Sequence, residues 1–204
     1  MSDEIENILP KYGEPFGDSS AIPSYYVSKE AKKYLTVVLN GDGADEIFGG
    51  YRRYVPFRWH DFLNDKRSAR NFFKNISSKL PFPNNKQSHY NYIYRLFDFA
   101  GKQPLKSYLS STVDTFEGYN HLLVSHGMLF EELNDFIHKL NMSDFSGLQK
   151  IMCIDFKYLL PNDLLVKMDI ATMANSLESR SPFLSKSILE FAPALHDKMK
   201  IKGF

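Results

Sequence analysis

Three carboxylates, Asp42, Asp45 and Glu46, stand within five residues of one another, and Gly41 and Gly43 bracket the first of them. Glycine lets a chain turn sharply and lets a ligand come close to main-chain atoms. Carboxylates that follow such a loop onto the first turn of a helix admit two readings. They stabilise the helix dipole by about 0.3–1 kcal/mol each. Alternatively they offer hard oxygen ligands to Mg²⁺, which takes one or two carboxylates together with substrate phosphates. Spacing alone leaves the helix cap and the metal–phosphate site both open. The loop is not a Walker A loop, since no Gly-Lys-Ser/Thr follows, and it does not fit the dinucleotide fingerprint. Its ligand spacing is also wrong for an EF-hand.

A second set of charges, Lys167, Asp169, Glu178 and Arg180, falls in a stretch rich in Leu and Met. Charged groups are costly to bury unpaired, so this set implies a structural ion-pair network or a polar ligand. Asp163 and Lys167 are also i, i+4 partners, worth only about 0.2–0.5 kcal/mol on an exposed helix. Cys153 is the single cysteine. It excludes an intrachain disulfide and a cysteine-based zinc site, and reads as a small buried hydrophobe in a reducing compartment.

The elements that must position these groups are legible in outline. Leu35-Thr36-Val37-Val38-Leu39 is continuously apolar and β-branched, the pattern of a strand buried on both faces as in a parallel sheet. Asn40-Gly41-Asp42-Gly43 ends it, and a helix is expected from Ala44 toward Pro56. Ser24 is placed to cap a preceding helix through Tyr25–Tyr34, which ends in cations that complement its dipole. Helix, strand, tight loop and helix make one α/β unit, in which ligands bind at the carboxyl end of the strand.

The first sixteen residues, with Pro10, Gly13 and Pro15, read as an extended lead-in. From about residue 57 the pattern becomes helical. Leu129, Leu133, Phe136, Ile137 and Leu140 form an amphipathic stripe. Asp144 can cap a further helix whose apolar face is Leu148, Ile151, Met152, Phe156 and Leu159, with Pro161 ending it. Residues 161–178 read as a buried helix, and Ser185 as the cap of a last one that turns Ile188, Leu189, Ala192, Leu195 and Met199 inward. Residues 80–87 read as a loop. One strand cannot make a sheet, so other strands are expected in the lead-in or outside this chain.

At 204 residues the chain fits one domain or a large part of one, with 43% hydrophobic residues, 17 Phe and 12 Tyr to cover. Lys plus Arg (25) nearly balances Asp plus Glu (24), so charge gives no argument for nucleic acid or membrane binding. The acidic start is no signal peptide, and no apolar run approaches the ~20 residues of a membrane span. A cytoplasmic location is the expectation, and an oligomer is left open.

Three blocks carry a resemblance. Leu39-Asn40-Gly41-Asp42-Gly43-Ala44-Asp45-Glu46-Ile47-Phe48-Gly49-Gly50-Tyr51 resembles the S-G-E/D-G-A/S-D-E-L/V/I-F-G-G-Y motif of the glutamine-hydrolysing asparagine synthetases. Glu14-Pro15-Phe16-Gly17-Asp18-Ser19-Ser20-Ala21-Ile22-Pro23 is similar to the family's E-P-F-x-D-S-S-A-I-P segment. Leu160-Pro161-Asn162-Asp163-Leu164-Leu165, followed by Lys167, Asp169, Met173, Leu177-Glu178, Arg180 and Pro182-Phe183-Leu184, is similar to its L-P-x-D-L-L-x-K-x-D…M…L-E-x-R-x-P-F-L stretch. The blocks run from residue 14 to 184 in the family's order.

The resemblance implies an α/β fragment of an ATP-pyrophosphatase (PP-loop, adenine nucleotide alpha hydrolase-like) domain, predominantly helical in this chain with few strands, and residues 1–204 as part of the C-terminal synthetase domain. It implies an ATP-dependent carbon–nitrogen ligase, an amidotransferase of amino-acid biosynthesis. The cofactors implied are ATP and Mg²⁺, and the substrates aspartate and ammonia from glutamine. Aspartate is adenylated to β-aspartyl-AMP, and ammonia then expels AMP. By the match, Asn40, Gly41 and Gly43 are nucleotide-binding, with backbone groups beside AMP. Asp42 is the catalytic acidic position, and Asp45 is a ligand of Mg-pyrophosphate. Glu46 assists the metal or caps the helix.

Two positions depart from the motifs. Asn40 replaces the usual Ser, and Ser185 the Asp common after P-F-L; in each case both residues are small and polar. The family's phosphate cradle S-G-G-x-D-S does not occur in these residues, and Cys153 cannot serve as the glutaminase nucleophile. The expectation is that the glutaminase domain, the cradle and the catalytic lysine lie elsewhere in a parent protein, Lys202-Gly203-Phe204 resembling the lysine's segment only superficially. This chain alone is then expected to be inactive. Two other readings stay open: a paralogous amidotransferase acting on another carboxylate (a sugar acid or a peptide), and a non-catalytic helical interaction module.

Overall fold

The computed structural model describes residues 6, 8–58, 67–81, 88–91, 93–94, 97 and 128–201. They fall in two units, Met1–Gly50 with Met152–Lys200, and Tyr51–Ile151 with Ile201–Phe204. The described residues are mostly helical, with a two-stranded parallel sheet.

In the first unit β1 (Val37–Leu39) pairs with β2 (Glu178–Arg180), Val37 opposite Glu178, Val38 opposite Ser179 and Leu39 opposite Arg180. The Glu178 N–H donates to the Thr36 carbonyl and the Asn40 N–H to the Arg180 carbonyl, both at 2.9 Å, extending the ladder at its two ends. β2 begins at Glu178, the last residue of the stretch 161–178 expected to be a helix. Glu-Ser-Arg has neither a strand's alternation nor its β-branched residues, so only pairing across the fold makes it a strand. The expected burial of β1 on both faces is not met: Leu39 is 72% exposed and Val37 42%. With two strands described, one face of β1 lies open among the described residues.

Helix α1 (Ala21–Lys32) starts four residues before the expected Tyr25. The Ser20 N–H donates to Asp18 Oδ1 at 2.8 Å and the Ala21 N–H to the Asp18 carbonyl at 3.1 Å, a turn that begins the helix. Pro23 is tolerated because it falls in the first turn, where its missing N–H has no helical partner. The segment before α1 is not an extended lead-in. Leu9–Tyr12 form a 3-10 turn closed by Gly13 at φ +73°. Ile8, Tyr12 and Ala21 are buried there with Phe16, Tyr25 and Ile170 packed against them.

Helix α2 (Ala44–Phe48) ends at Gly49, left-handed at φ +76°, well short of Pro56. A 3-10 helix, Arg52–Arg58, follows in the second unit. There α3 (Arg67–Ser77) and α4 (Met128–Met142) follow in turn. In α4 the predicted stripe holds: Leu140 is buried, Leu133, Phe136 and Ile137 are half-buried, and Glu132, Asp135, His138 and Lys139 are exposed. The side chain of Leu129 and loop residues 82–87 lie outside what is described.

Helix α5 (Gly147–Ile154) is capped by Ser146 rather than Asp144. The Gln149 N–H donates to Ser146 Oγ at 3.1 Å, and the Ser146 N–H donates back to Gln149 Oε1 at 3.0 Å. This reciprocal capping box beats an acid placed two residues too early.

Pro161 does not end the helix that follows. A π-helical segment, Asp155–Leu164, carries the chain through it and into α6 (Leu165–Met173). The wider i→i+5 turn moves aside the carbonyl four residues back that a proline ring would strike in an α-helix, and the missing N–H costs one bond. Ser176, left-handed at φ +54°, then turns the chain into β2. After a 3-10 turn Pro182–Leu184, the expected last helix does begin behind Ser185, as α7 (Lys186–Phe191), but it is then broken by a second 3-10 turn Ala192–Ala194 before α8 (Asp197–Lys200). Pro193, with no N–H to donate, makes continuation unfavourable. Ala192 is buried, while Met199 is exposed. No helix among the described residues is long and apolar enough to cross a membrane.

Candidate functional site

The two parallel strands end side by side, and a cavity of about 380 Å³ opens at their carboxyl ends. Asn40 and Asp42 reach it from the loop after β1, and Ser179 and Ser181 from β2 and the residue after it. The opposite wall is Pro161 of the π segment with Leu165, Val166, Met168 and Asp169 of α6. One wall is polar and one mainly apolar, the combination that binds and orients a small ligand.

Asn40 is the hub of the polar wall. Its Nδ2 donates to Asp42 Oδ2 and to Ser179 Oγ, both at 2.9 Å. Its Oδ1 accepts from Ser181 Oγ at 2.6 Å and from the Asp42 N–H at 3.2 Å. Burial pushes the Asp42 carboxyl above its ordinary value, and the charge of Lys167 opposes part of that rise.

Lys167 is itself buried, and its Nζ donates to Asp18 Oδ2 at 2.7 Å and to Ser20 Oγ at 2.8 Å. Burial alone would raise the Asp18 carboxyl, but the hydrogen bonds from Lys167 and Ser20 outweigh it and hold the group below its ordinary value. Tyr12 Oη donates to the Lys167 backbone carbonyl at 3.4 Å, so the N-terminal turn, the start of α1 and α6 meet at this one residue. Asp163 is pushed up by burial and then by the charge of Asp18, with Lys167 offsetting part of it.

The four charges read from the sequence as one set are therefore distributed. Lys167 pairs with Asp18. The Arg180 Nε lies 2.7 Å from Glu178 Oε1, both side chains being well exposed, a pair worth at most about 1 kcal/mol. Asp169 lines the cavity. Sequence reasoning had not singled out Asp18, Ser20, Ser179 or Ser181. The available signal was the lysine: an ammonium on a largely apolar helix demands a carboxylate, and Asp18 in the similar N-terminal block was a candidate.

The two loop glycines differ. Gly43 has φ +88°, and a Cβ there would run into the Leu184 side chain, so its backbone and its packing both require glycine. Gly41 has nothing within 4 Å of a Cβ position, which leaves its main chain open to a ligand. Asp45 is exposed, and its carboxylate lies against Gly50, where a Cβ would collide with it. Glu46 is buried, in the first turn of α2 beside Asp45. Among the described residues no group of three or more His, Cys, Asp or Glu is arranged to hold a metal. Cys153 lies in α5, half-buried, with its thiol pushed up by burial against the pull of Lys200.

The asparagine synthase family model matches residues 1–203 of the chain. Asparagine synthetase (glutamine-hydrolyzing) 1 of Bacillus subtilis is 31% identical over 210 residues, covering 98% of this chain and 32% of its own length. A putative asparagine synthetase (glutamine-hydrolyzing) of Mycobacterium tuberculosis H37Rv is 30% identical, over 98% of this chain and 31% of its own. A second putative one, from Methanocaldococcus jannaschii, is 44% identical over 82 residues, or 38% of this chain. The chain spans about a third of the length of the first two relatives. No solved structure matches it.

Proposed function

The chain belongs to the asparagine synthase family, and on that premise we propose that it forms one wall of the synthetase site of a glutamine-hydrolysing asparagine synthetase with an ATP-pyrophosphatase fold. The reaction is the attack of the aspartate side-chain carboxylate on the α-phosphorus of ATP, releasing pyrophosphate, and then of ammonia on the acyl carbon of β-aspartyl-AMP, releasing AMP. The observation that carries this reading is the cavity itself. It joins Asn40 and Asp42 of the acidic loop to Pro161, Asp169, Ser179 and Ser181 of the C-terminal block, so two motif blocks far apart in sequence share one site.

Asp42 is the group suited to take a proton from the attacking ammonia. Its carboxyl is pushed up by burial, and a more basic carboxylate is the better proton acceptor. The open backbone at Gly41 supports close approach of AMP, with Asn40 and Gly43 fixing the loop on either side. Ser179, Ser181 and Asp169 supply the remaining polar contacts, and Leu165, Val166 and Met168 an apolar wall. Asp45, exposed in the first turn of α2, offers a carboxylate to an ion that is otherwise held by phosphate oxygens. Mg²⁺ held there by Asp45, with Glu46 behind it, would neutralise charge on the leaving pyrophosphate.

The test uses the full-length parent polypeptide with aspartate, ATP and ammonia. Asparagine, AMP and pyrophosphate are expected in equal amounts, and Asp42→Asn should lower kcat by about 10²-fold or more. Pyrophosphate release driven by another carboxylate instead of aspartate would move the protein to a paralogous amidotransferase. A fully active Asp42→Asn would remove Asp42 from the chemistry.

A further inference from the structure

We propose that Asn40 is a positioning residue, a four-way bracket between the loops after β1 and β2 that aims the Asp42 carboxylate into the cavity and has no side-chain capacity left for a nucleotide. A carboxamide has two N–H donors and one carbonyl oxygen with two acceptor positions. In Asn40 all four are used. The two donors go to Asp42 Oδ2 and Ser179 Oγ. The two acceptor positions take the Ser181 hydroxyl and the Asp42 N–H.

The orientation of the amide follows from its neighbours. A backbone N–H can only donate, so the atom facing the Asp42 N–H is oxygen; an ionised carboxylate can only accept, so the atom facing it is nitrogen. The main chain of Asn40 is equally tied, its N–H donating to the Arg180 carbonyl at 2.9 Å. Serine, the residue of the family motif at this position, has a single donor. It could reach the Asp42 carboxylate or the Ser179 hydroxyl, but not both. The bracket is thus available to asparagine and not to serine. Nucleotide contact along this wall then falls to the backbone of Gly41 and to the serine hydroxyls.

The inference rests on the functional reading above only for its importance, since the bracket itself is a matter of geometry. The charged groups on the elements around Asp42 are Lys167 and Asp169 on α6, Asp155, Lys157 and Asp163 on the π segment, Asp45 and Glu46 on α2, and Glu178 and Arg180 on β2. Of the polar side chains near Asp42, Asn40 is the one that donates directly to its carboxylate among the hydrogen bonds described. Removing that donor should therefore make the ionised form harder to keep.

The experiment follows the Asp42 carboxyl through a pH titration by carbon NMR in the 204-residue chain and in Asn40→Ala, Asn40→Asp and Asn40→Ser. The Asp42 midpoint should rise in Asn40→Ala and rise further in Asn40→Asp, where a second carboxylate takes the place of the amide nitrogen. Asn40→Ser should recover part of the shift. An unmoved midpoint in folded Asn40→Ala would overturn the proposal. Should the Asn40 variants fail to fold, Ser179→Ala provides the second reading. The Asn40 side-chain amide protons, both bonded in the unsubstituted chain, should exchange with solvent faster in Ser179→Ala, and unchanged exchange would equally overturn it. An unmoved midpoint beside an inactive Asp42→Asn full-length enzyme would reject the bracket alone. A moved midpoint beside an active Asp42→Asn would reject the functional reading alone.

Discussion

At the scale of single residues the Asp18–Lys167 contact ties the start of α1 to α6, with side chains 24% and 11% exposed. Such a pair adds little over a well-packed apolar alternative, but removing one partner strands the other. Asp18→Ala, which leaves the ammonium of Lys167 with Ser20 alone, should cost about 1–3 kcal/mol in denaturant unfolding. The pH dependence has opposite signs at two neighbouring acids. Asp18 is held below its ordinary 3.8. The stability it contributes is therefore fully present above that value and lost as pH falls through the lower folded value. Asp163 is raised above 3.8, so its ionised form disfavours the fold at neutral pH, and that cost disappears as the group protonates on acidification. Asp163→Asn should accordingly raise the denaturation midpoint at neutral pH, with the gain shrinking as the pH is lowered. A gain that is constant with pH would rule out charge as its cause.

At the scale of elements, the ends of helices and the loop glycines decide the geometry. Ser146 and Gln149 satisfy each other's backbone N–H groups at the start of α5. Ser146→Ala should therefore destabilise the second unit by about 1 kcal/mol, read from its thermal unfolding. In the acidic loop, Gly43 combines φ +88° with contact to Leu184, whereas Gly41 has open space around it. Gly43→Ala should cost about 1–3 kcal/mol, from left-handed strain and the collision together. Gly41→Ala should leave unfolding within about 1 kcal/mol of the parent chain while still narrowing the approach of a ligand. Equal effects at the two positions would argue against this division of labour.

At the scale of the whole molecule, the chain exposes apolar surface around β1. Tyr34 is 77% exposed and Leu39 72%, with Leu35 and Val37 also open. Exposed strand and flanking apolar residues favour association. Leu39→Lys should thus reduce concentration-dependent light scattering of the 204-residue chain without lowering its unfolding midpoint. The same chain should form no asparagine from aspartate, ATP and ammonia, an outcome checked by amino-acid analysis against the full-length parent.

Much of this was legible in residues 14–184 read as a string. The β1–loop–α2 unit and the α4 stripe follow from local rules, because period, glycine and capping act over a few residues. The four-residue offset of α1, the passage of the π segment through Pro161 and the strand at Glu178–Arg180 were not legible. The first turns on a local bond to Asp18, the second on a backbone geometry that residue types do not announce, and the third on a strand partner far along the chain. By itself the sequence determined the family and the acidic loop, both set by contiguous residues. Only the tertiary structure decided that Lys167 belongs to Asp18, 149 positions away, and that Asn40 binds Ser179 and Ser181 rather than standing free. A buried cation or amide takes whichever partners the fold brings within about 3 Å, and no spacing along the chain encodes that distance.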